Sequence, residues 1–433
     1  MAVLRWSKTI SPRHGTGAGM GGTDRTRWWP YVLLGLTCLA GWAFKGHCGA
    51  YWTDSIQYTT GCYSDAVPFW GLRGVAAGQL PYVDARMEYP VLTGGLIWVE
   101  GLVTRTLFGP VANAAHFLGV VAAVNALLAF LVLAMMERAG VDRRRLYWWA
   151  AAPPLILYLG HNWDMLAVAF AIAALLAARR GAAINATALA ALGTAAKLFP
   201  ILLLPLFGLA ALFPGERRQV TGRLTAAALL VVIAIAYWGA VNVPVAFGAY
   251  QNWSEFYRFS GERSGTAASI WELLSTSGFW VTSIPQRNLV SGGLFLVGAA
   301  MIVALGWRRH GDRPWLLFTP VLAWFLLTNK VYSPQFDLWL YPVLILTSYR
   351  LWPIAWFALG DFLAYFAEFW WFAGMEGHLP AATQGEIAIA AAVRGAAMLW
   401  IIAASLRQPA PDWVEFRPPT GSPPHPDRPR PVG

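Results

Sequence analysis

Apolar residues in this chain fall in long unbroken runs rather than in alternation with polar ones. The runs cover residues 31–44 and then centre on 88–104, 117–136, 147–160, 165–178, 181–196, 198–213, 224–243, 291–307, 314–328, 336–349, 351–371 and 386–406. Runs of this kind predict helices immersed in hydrocarbon, because a membrane helix needs about 20 mostly apolar residues, whereas a half-wet strand would alternate. The predicted fold class is therefore all-α, a polytopic transmembrane helical bundle of 12–13 hydrophobic segments. The first run follows a basic stretch and lacks a small-residue cleavage site, so it reads as a retained anchor with the N-terminus inside.

Composition agrees. Of 433 residues, 57% are hydrophobic and 12% charged, against about 45–50% and 25% in soluble proteins. The net charge of +10 comes from 32 basic and 22 acidic residues. The basic residues cluster between apolar runs: Arg5, Lys8, Arg13, Arg25 and Arg27, then Arg138 with Arg143 to Arg145, then Arg217, Arg218 and Arg223, then Arg308, Arg309 and Arg313. That is the signature of inside-facing loops, and it removes nucleic acid as a partner.

Thirteen crossings from an inside start would finish outside, yet the clusters at 138–145, 215–223 and 308–313 and Arg407 all prefer the inside. One segment is thus expected not to cross. The segment 88–104, carrying Glu88 and Glu100, is the first expectation, as a re-entrant or interfacial helix; the Pro-broken 147–160 is the second. The outside face then receives loops 45–87 and 244–290 and turns at 161–164, near Lys197, at 329–335 and at 372–385. The chain divides into a cytoplasmic segment 1–29, a membrane body 30–407 and a disordered Pro-rich cytoplasmic tail 408–433. The location is the cell membrane, multi-pass, with the active face extracytoplasmic.

Candidate chemistry gathers on that face. Residues 66–79 place Val67, Trp70 and Val75 opposite Arg73 and Gln79, predicting a short amphipathic helix on the membrane surface. Asp65 stands at its start, as a helix cap or as a base. Only four of the basic residues are lysines, Lys8, Lys45, Lys197 and Lys330. Lys197 and Lys330 lie in apolar surroundings, where an ammonium costs about 2.5–3.5 kcal/mol unless it reaches water, a carboxylate or an anion. Snorkelling and anion binding both account for them. The turn His161-Asn162-Trp163-Asp164 offers hydrogen bonds to sugar hydroxyls, or to headgroups and water. Asp361 and Glu368, seven apart on one helix face, would form a structural ion pair with Arg394. Cys48 and Cys62 share one loop and would close a disulfide if that loop meets an oxidising compartment. Nucleotide-binding and zinc-protease motifs are absent, and no cluster calls for a metal.

The order of these elements resembles the integral-membrane GT-C glycosyltransferases, in particular family 87, the actinobacterial polyprenyl-phosphate-mannose-dependent mannosyltransferases. Asp65, Leu80-Pro81-Tyr82, Glu88-Tyr89-Pro90, Gly160-His161-Asn162, Lys197-Leu198-Phe199-Pro200 and Ser333-Pro334-Gln335 carry the resemblance over about residues 30–345. His161 stands where the family has Gln, and the Cys48 and Cys62 pair is not a family feature. The resemblance implies an inverting transfer of a sugar, mannose by family habit, from a polyprenyl-phosphate donor to a lipid or cell-envelope glycan acceptor; no cofactor is called for, and a divalent metal is left open. It implies Asp65 as the base; Arg73, Lys197 and Lys330 as cations for the donor phosphate; and Glu88, Tyr89, His161, Asn162 and Gln335 as holders of sugar or acceptor. A polytopic transporter or lipid flippase is the alternative, since intramembrane Lys, Asp and Glu also suit a substrate path.

Overall fold

A computed structural model describes residues 25–49, 52–214 and 219–414. Among them are eighteen α-helices and no β-strand. In chain order they are α1 (Trp29–Gly46), α2 (Ile56–Thr59), α3 (Ala66–Leu72), α4 (Val91–Phe108), α5 (Ala114–Arg138), α6 (Arg143–Ala150), α7 (Pro153–Tyr158), α8 (Asp164–Arg179) and α9 (Ala183–Ala196). Then follow α10 (Leu203–Leu212), α11 (Val220–Gly248), α12 (Tyr250–Glu262), α13 (Ile270–Thr276), α14 (Ile284–His310), α15 (Phe318–Thr328), α16 (Asp337–Thr347), α17 (Trp352–Met375) and α18 (Gln384–Arg407). The expected all-α bundle is what the chain forms.

Five helices among the described residues are long and apolar enough to cross a membrane: α4 with the turn after it, α5, α11, α14 and α18. The outer faces of α11 and α14 leave Val231, Val232, Ile235, Leu289, Leu296, Val297 and Met301 exposed. Such faces are untenable in water and ordinary against lipid. The chain is a multi-pass membrane protein.

The two segments expected as the one that does not cross differ in continuity. Residues 88–104 enter α4, an 18-residue helix begun by Pro90 at its N-cap. With the turn after it, this helix is long and apolar enough to cross a membrane, and the Glu100 carboxylate turns inward, accepting a 2.6 Å hydrogen bond from the Trp163 indole. It is 147–160 that breaks, into α6 and α7, where Pro153 and Pro154 withhold two backbone donors.

The centre of the bundle is α8, α9 and α16, with nearly every residue of α8 and α16 buried. Alanines along α8 and α9 allow close approach of the two backbones, the usual source of packing energy in lipid. α17 and α18 meet as closely: a Cβ on Gly360 would lie 2.6 Å from the Arg394 Cα. Arg394, 1% exposed, pairs not with Asp361 or Glu368 as expected but with Asp337 of α16, at 3.2 Å. Its guanidinium lies 3.7 Å over the Tyr332 ring, while Asp361 accepts the Tyr158 hydroxyl. Residues on one helix can be matched from sequence spacing, but this partner comes from another helix.

Connections gather at two ends. One end is tied by Arg145 to the carbonyls of Ile345 and Tyr349, by Arg179 to the Ala139 carbonyl and by His310 to the Ser405 carbonyl. Arg27, Arg138, Arg308, Arg309 and Arg407 lie at this basic end. Packing there continues past residue 408 to Val414, shortening the tail expected to be disordered. The Trp413 indole donates to the Leu346 carbonyl at 2.8 Å, and Arg179 lies 4.6 Å over its ring. Residues 1–24, Arg217 and Arg218, and the tail from 415 on lie outside the described residues. The other end carries the acid- and lysine-bearing loops.

Candidate functional site

The site starts from Lys45, the next-to-last residue of α1. Its ammonium is buried and donates to the Gly61 carbonyl at 3.1 Å, the Tyr63 carbonyl at 2.8 Å and the Tyr365 hydroxyl, with His161 Nδ1 at 3.3 Å. Cys48 and Cys62 are joined as a disulfide with Cα atoms 5.8 Å apart. Two fastenings thus bind residues 61–63 to the end of α1, and the Asp65 N–H donates to the His161 carbonyl at 2.8 Å.

Asp65 follows at once, at the start of α3. Its side chain makes no capping bond. Pro68 at the third helical position has no N–H to offer, and the Ala66 N–H goes to the Ser64 hydroxyl at 3.2 Å. The carboxylate instead accepts the Tyr89 hydroxyl at 2.6 Å, with the Tyr63 hydroxyl as a second donor. Burial pushes the Asp65 carboxyl above its ordinary value, against the pull of those hydroxyls and of the Lys197 charge. The Tyr63 phenol is pushed up chiefly by the Asp65 charge, and that of Tyr89 chiefly by burial, so both remain donors. Asp65 is half-buried, within reach of a substrate.

α3 is shorter than the expected 66–79. Gly74, at φ +67°, takes the left-handed conformation that ends it. Part of its apolar face packs on α5, with Trp70 5.4 Å from Phe117, while Leu72 stays exposed. Arg73, just past the helix, is paired to Glu88 at 3.1 Å.

Lys197 completes the group around Tyr89. Its ammonium lies 4.7 Å over the Tyr89 ring and 2.8 Å from Asp164, whose other oxygen accepts the Trp339 indole at 2.7 Å. His161 and Asn162 lie deeper. His161 is enclosed by Tyr63, Tyr158, Tyr365 and Phe369, and burial and the Lys45 charge hold it below its ordinary value, hence neutral. Asn162 accepts the Asp164 N–H through its side chain at 3.0 Å. Gln335 is half-buried in the turn Pro334–Phe336.

Loop 244–290 carries its own helices, α12 and α13, which the sequence pattern did not reveal. The residues after α12 bring up Arg263, which among the described residues has no acid in ion-pair contact but lies within electrostatic reach of Asp65, Glu368 and Glu88. Lys330 does not join Lys197; it donates to the Gly261 carbonyl at 2.8 Å, next to Arg263 and Arg287. Arg287 is paired to Glu272. The structure therefore brings Asp65, Tyr89 and Lys197 together, sets Arg73 with Glu88 beside them, and places Lys330 with Arg263.

Sequence reasoning passed over Lys45, Asp164 and Arg263. Lys45 gave the same signal as the other rare lysines, and Asp164 closes a turn already singled out. Arg263 gave none. His47, Cys48 and Cys62 are the one cluster of three potential metal ligands among the described residues, and its thiols are bonded to each other.

No protein-family model matches the chain, and no curated protein matches it. Among solved structures, it is similar to the apo form of the Archaeoglobus fulgidus oligosaccharyltransferase, with 12% identity and a TM-score of 0.41. The match covers 90% of this chain and 57% of that one, so the chain spans little more than half the length of that protein. At this identity and score, the likeness identifies neither a family nor an activity.

Proposed function

We propose that the chain is an inverting glycosyltransferase that moves a sugar from a lipid-phosphate donor, a polyprenyl-phosphate mannose by the resemblance, to a lipid or envelope-glycan acceptor. The observation that carries this reading is Asp65: half-buried, free of capping duty, and oriented by the hydroxyls of Tyr89 and Tyr63.

Asp65 removes the proton from an acceptor hydroxyl as its oxygen attacks the anomeric carbon. The bond from that carbon to the phosphate oxygen breaks on the opposite side, and its electron pair leaves with the lipid phosphate. The products are the glycoside with inverted configuration, the free lipid phosphate and a proton on Asp65. A phosphate leaves without an acid, but its growing charge favours cations already in place. Lys197 and Arg73 are partly neutralised by Asp164 and Glu88; Lys330 donates to the Gly261 carbonyl, with no carboxylate contact among the described residues. Glu88 and Gln335, both half-buried, suit sugar hydroxyls, whereas His161 and Asn162 support the loop from behind. With the basic end inside, the Asp65 end faces out of the cell, where the donor headgroup lies.

The test is transfer from radiolabelled polyprenyl-phosphate mannose in membranes carrying wild-type or Asp65→Asn protein, with insertion checked in both. Loss of at least a thousandfold in the variant alone is expected. Activity within a few-fold of wild type would remove Asp65 as base, and no transfer by wild type with any donor would turn attention to lipid or solute movement.

A further inference from the structure

Where residues 147–160 break, α6 and α7 leave a gap against α17. The gap is an apolar groove of about 670 Å³, walled by Tyr147, Trp148 and Ala151 on one side and by Ala355, Leu359 and Phe362 on the other. Each wall repeats at three or four residues, the spacing of one helix face. Tyr341 of α16 floors the groove, its hydroxyl donating to the Trp148 carbonyl at 3.3 Å. Alanines on both walls keep it open, and the exposed Leu359 and Phe362 mark its outer side as facing lipid. Its volume lies within the about 300–1,000 Å³ of built small-molecule sites. The groove starts at the basic end, where Arg145 holds the Tyr349 carbonyl just before α17. From Ala355 to Phe362 it follows α17 for roughly 10 Å at about 1.5 Å per residue. Half of a hydrocarbon core about 30 Å thick is deeper than that, so the groove lies within one leaflet.

That end of the groove carries charge. Arg144, exposed, lines it directly. Arg143 turns onto the same wall, its guanidinium 5.7 Å over the Tyr147 ring and donating to the Tyr147 hydroxyl at 3.4 Å. Asp142, the cap of α6, is already paired with Arg145 at 2.6 Å, and among the described residues Arg144 makes no ion pair. Cations in the first turn of a helix oppose its dipole, so an anion beside Arg143 and Arg144 is favoured both by their charge and by the helix end. Basic pockets between membrane helices on the inner side attract anionic headgroups, because the inner leaflet is rich in them. An apolar groove confined to one leaflet, with cations at its headgroup end, is complementary to a membrane lipid whose headgroup is anionic. A second slot, between α10 and α14, has apolar walls without a charged side chain and specifies no ligand.

We propose that the groove between α6 and α17 binds an anionic phospholipid, with an acyl chain between the helices and the phosphate on Arg144 and Arg143. A zwitterionic lipid brings its own cation up to the two arginines and is held less tightly. Binding makes and breaks no covalent bond, and it depends on neither Asp65 nor the transfer reaction.

The experiment titrates the full chain, purified and stripped of lipid, with phosphatidylglycerol or phosphatidylcholine and counts bound lipid by native mass spectrometry. Phosphatidylglycerol is expected to bind at least tenfold more tightly than phosphatidylcholine. Arg144→Ala should lower that preference at least fivefold, and Arg144→Lys should keep most of it. Ala355→Trp fills the groove from an exposed position and should lower binding of phosphatidylglycerol at least tenfold. Leu359→Trp, one turn along the same wall, replaces it if that variant does not fold. Arg308→Ala removes an exposed arginine of the same end on α14 and should leave binding unchanged. In nanodiscs, phosphatidylglycerol with a diazirine on its chain should tag peptides of α6 and α17. Equal binding of the two lipids, an equal loss in Arg308→Ala, or binding unchanged in the groove and Arg144 variants alike would overturn the assignment. So would a cross-link between α17 of two copies without lipid adducts, which would give the groove to a second copy of the chain.

Discussion

Lys45 has no carboxylate in hydrogen-bond contact; two carbonyls, a phenol and an imidazole satisfy its ammonium. Replacing it by Met would leave the Tyr63 carbonyl without that donor, at about 1–3 kcal/mol for a buried unsatisfied group, while the Gly61 carbonyl would keep only the Tyr365 hydroxyl. The loop that sets Asp65 would shift with it. A displacement of about 1 Å typically costs on the order of a hundredfold in rate. Lys45→Met is therefore expected to lower kcat by that order with little change in donor KM, read from initial rates beside a melting curve. Asp65 gives a pH prediction. Its folded pKa is raised by burial, so the base is ionised only above that raised value, and kcat/KM should rise with pH through an acid limb displaced above the ordinary carboxylate range. The same shift acts on stability. The stability it gives is fully present below the unfolded pKa of about 3.9 and is lost as pH rises through the folded pKa. Asp65→Asn should melt with wild type at acid pH and above it at pH 8. Lys197 stood out in the sequence because a charge at the edge of an apolar run must find a partner, whereas Asp65, in a polar loop, was singled out as a base only by the resemblance. Arg263 was not, since an arginine in a polar loop is unremarkable until folding carries it to Asp65.

Among the elements, the segment between α1 and α3 depends most on its fastenings. The Cys48 to Cys62 bond spans a sequence separation of 14, and closing a loop of 15 residues is worth about 3 kcal/mol in the chain-entropy account. Cys48→Ser with Cys62→Ser is expected to lower thermal stability by that order and to reduce transfer. A variant as stable and active as wild type would show that the Lys45 contacts hold the loop alone. Helix positions were readable wherever an apolar run had clear ends, as at Pro90 before α4. Where a charge turns inward in space, as Glu100 does to Trp163, the sequence pattern alone does not say so. α12 and α13 escaped notice because their aromatic residues are interspersed with polar ones, as in an ordinary loop.

Over the whole molecule, the arginine-rich loops and the Asp65 loops lie at opposite ends, which predicts opposite sides of the membrane. A membrane-impermeant maleimide should label Ser277→Cys in intact cells and Arg180→Cys only after permeabilisation; both positions are exposed. Labelling of both, or the reverse order, would invert the topology and place the site inside. The class of fold was legible because lipid imposes it through run length. The partner of Arg394 was not, because Asp337 is 57 residues away and Asp361 and Glu368 on α17 lie nearer in sequence.

The tucked Trp413 bears on how the protein is made. It joins Arg179 at the end of α8 to the Leu346 carbonyl near the end of α16, bridging two of the central helices. It is also synthesised after all eighteen helices. The bundle therefore enters the membrane with its basic end unlatched, and the latch closes only when the last helix has left the ribosome. A chain interrupted before Asp412 would keep all eighteen described helices yet lack this clasp, so quality-control proteases should distinguish it from the finished protein at the basic end.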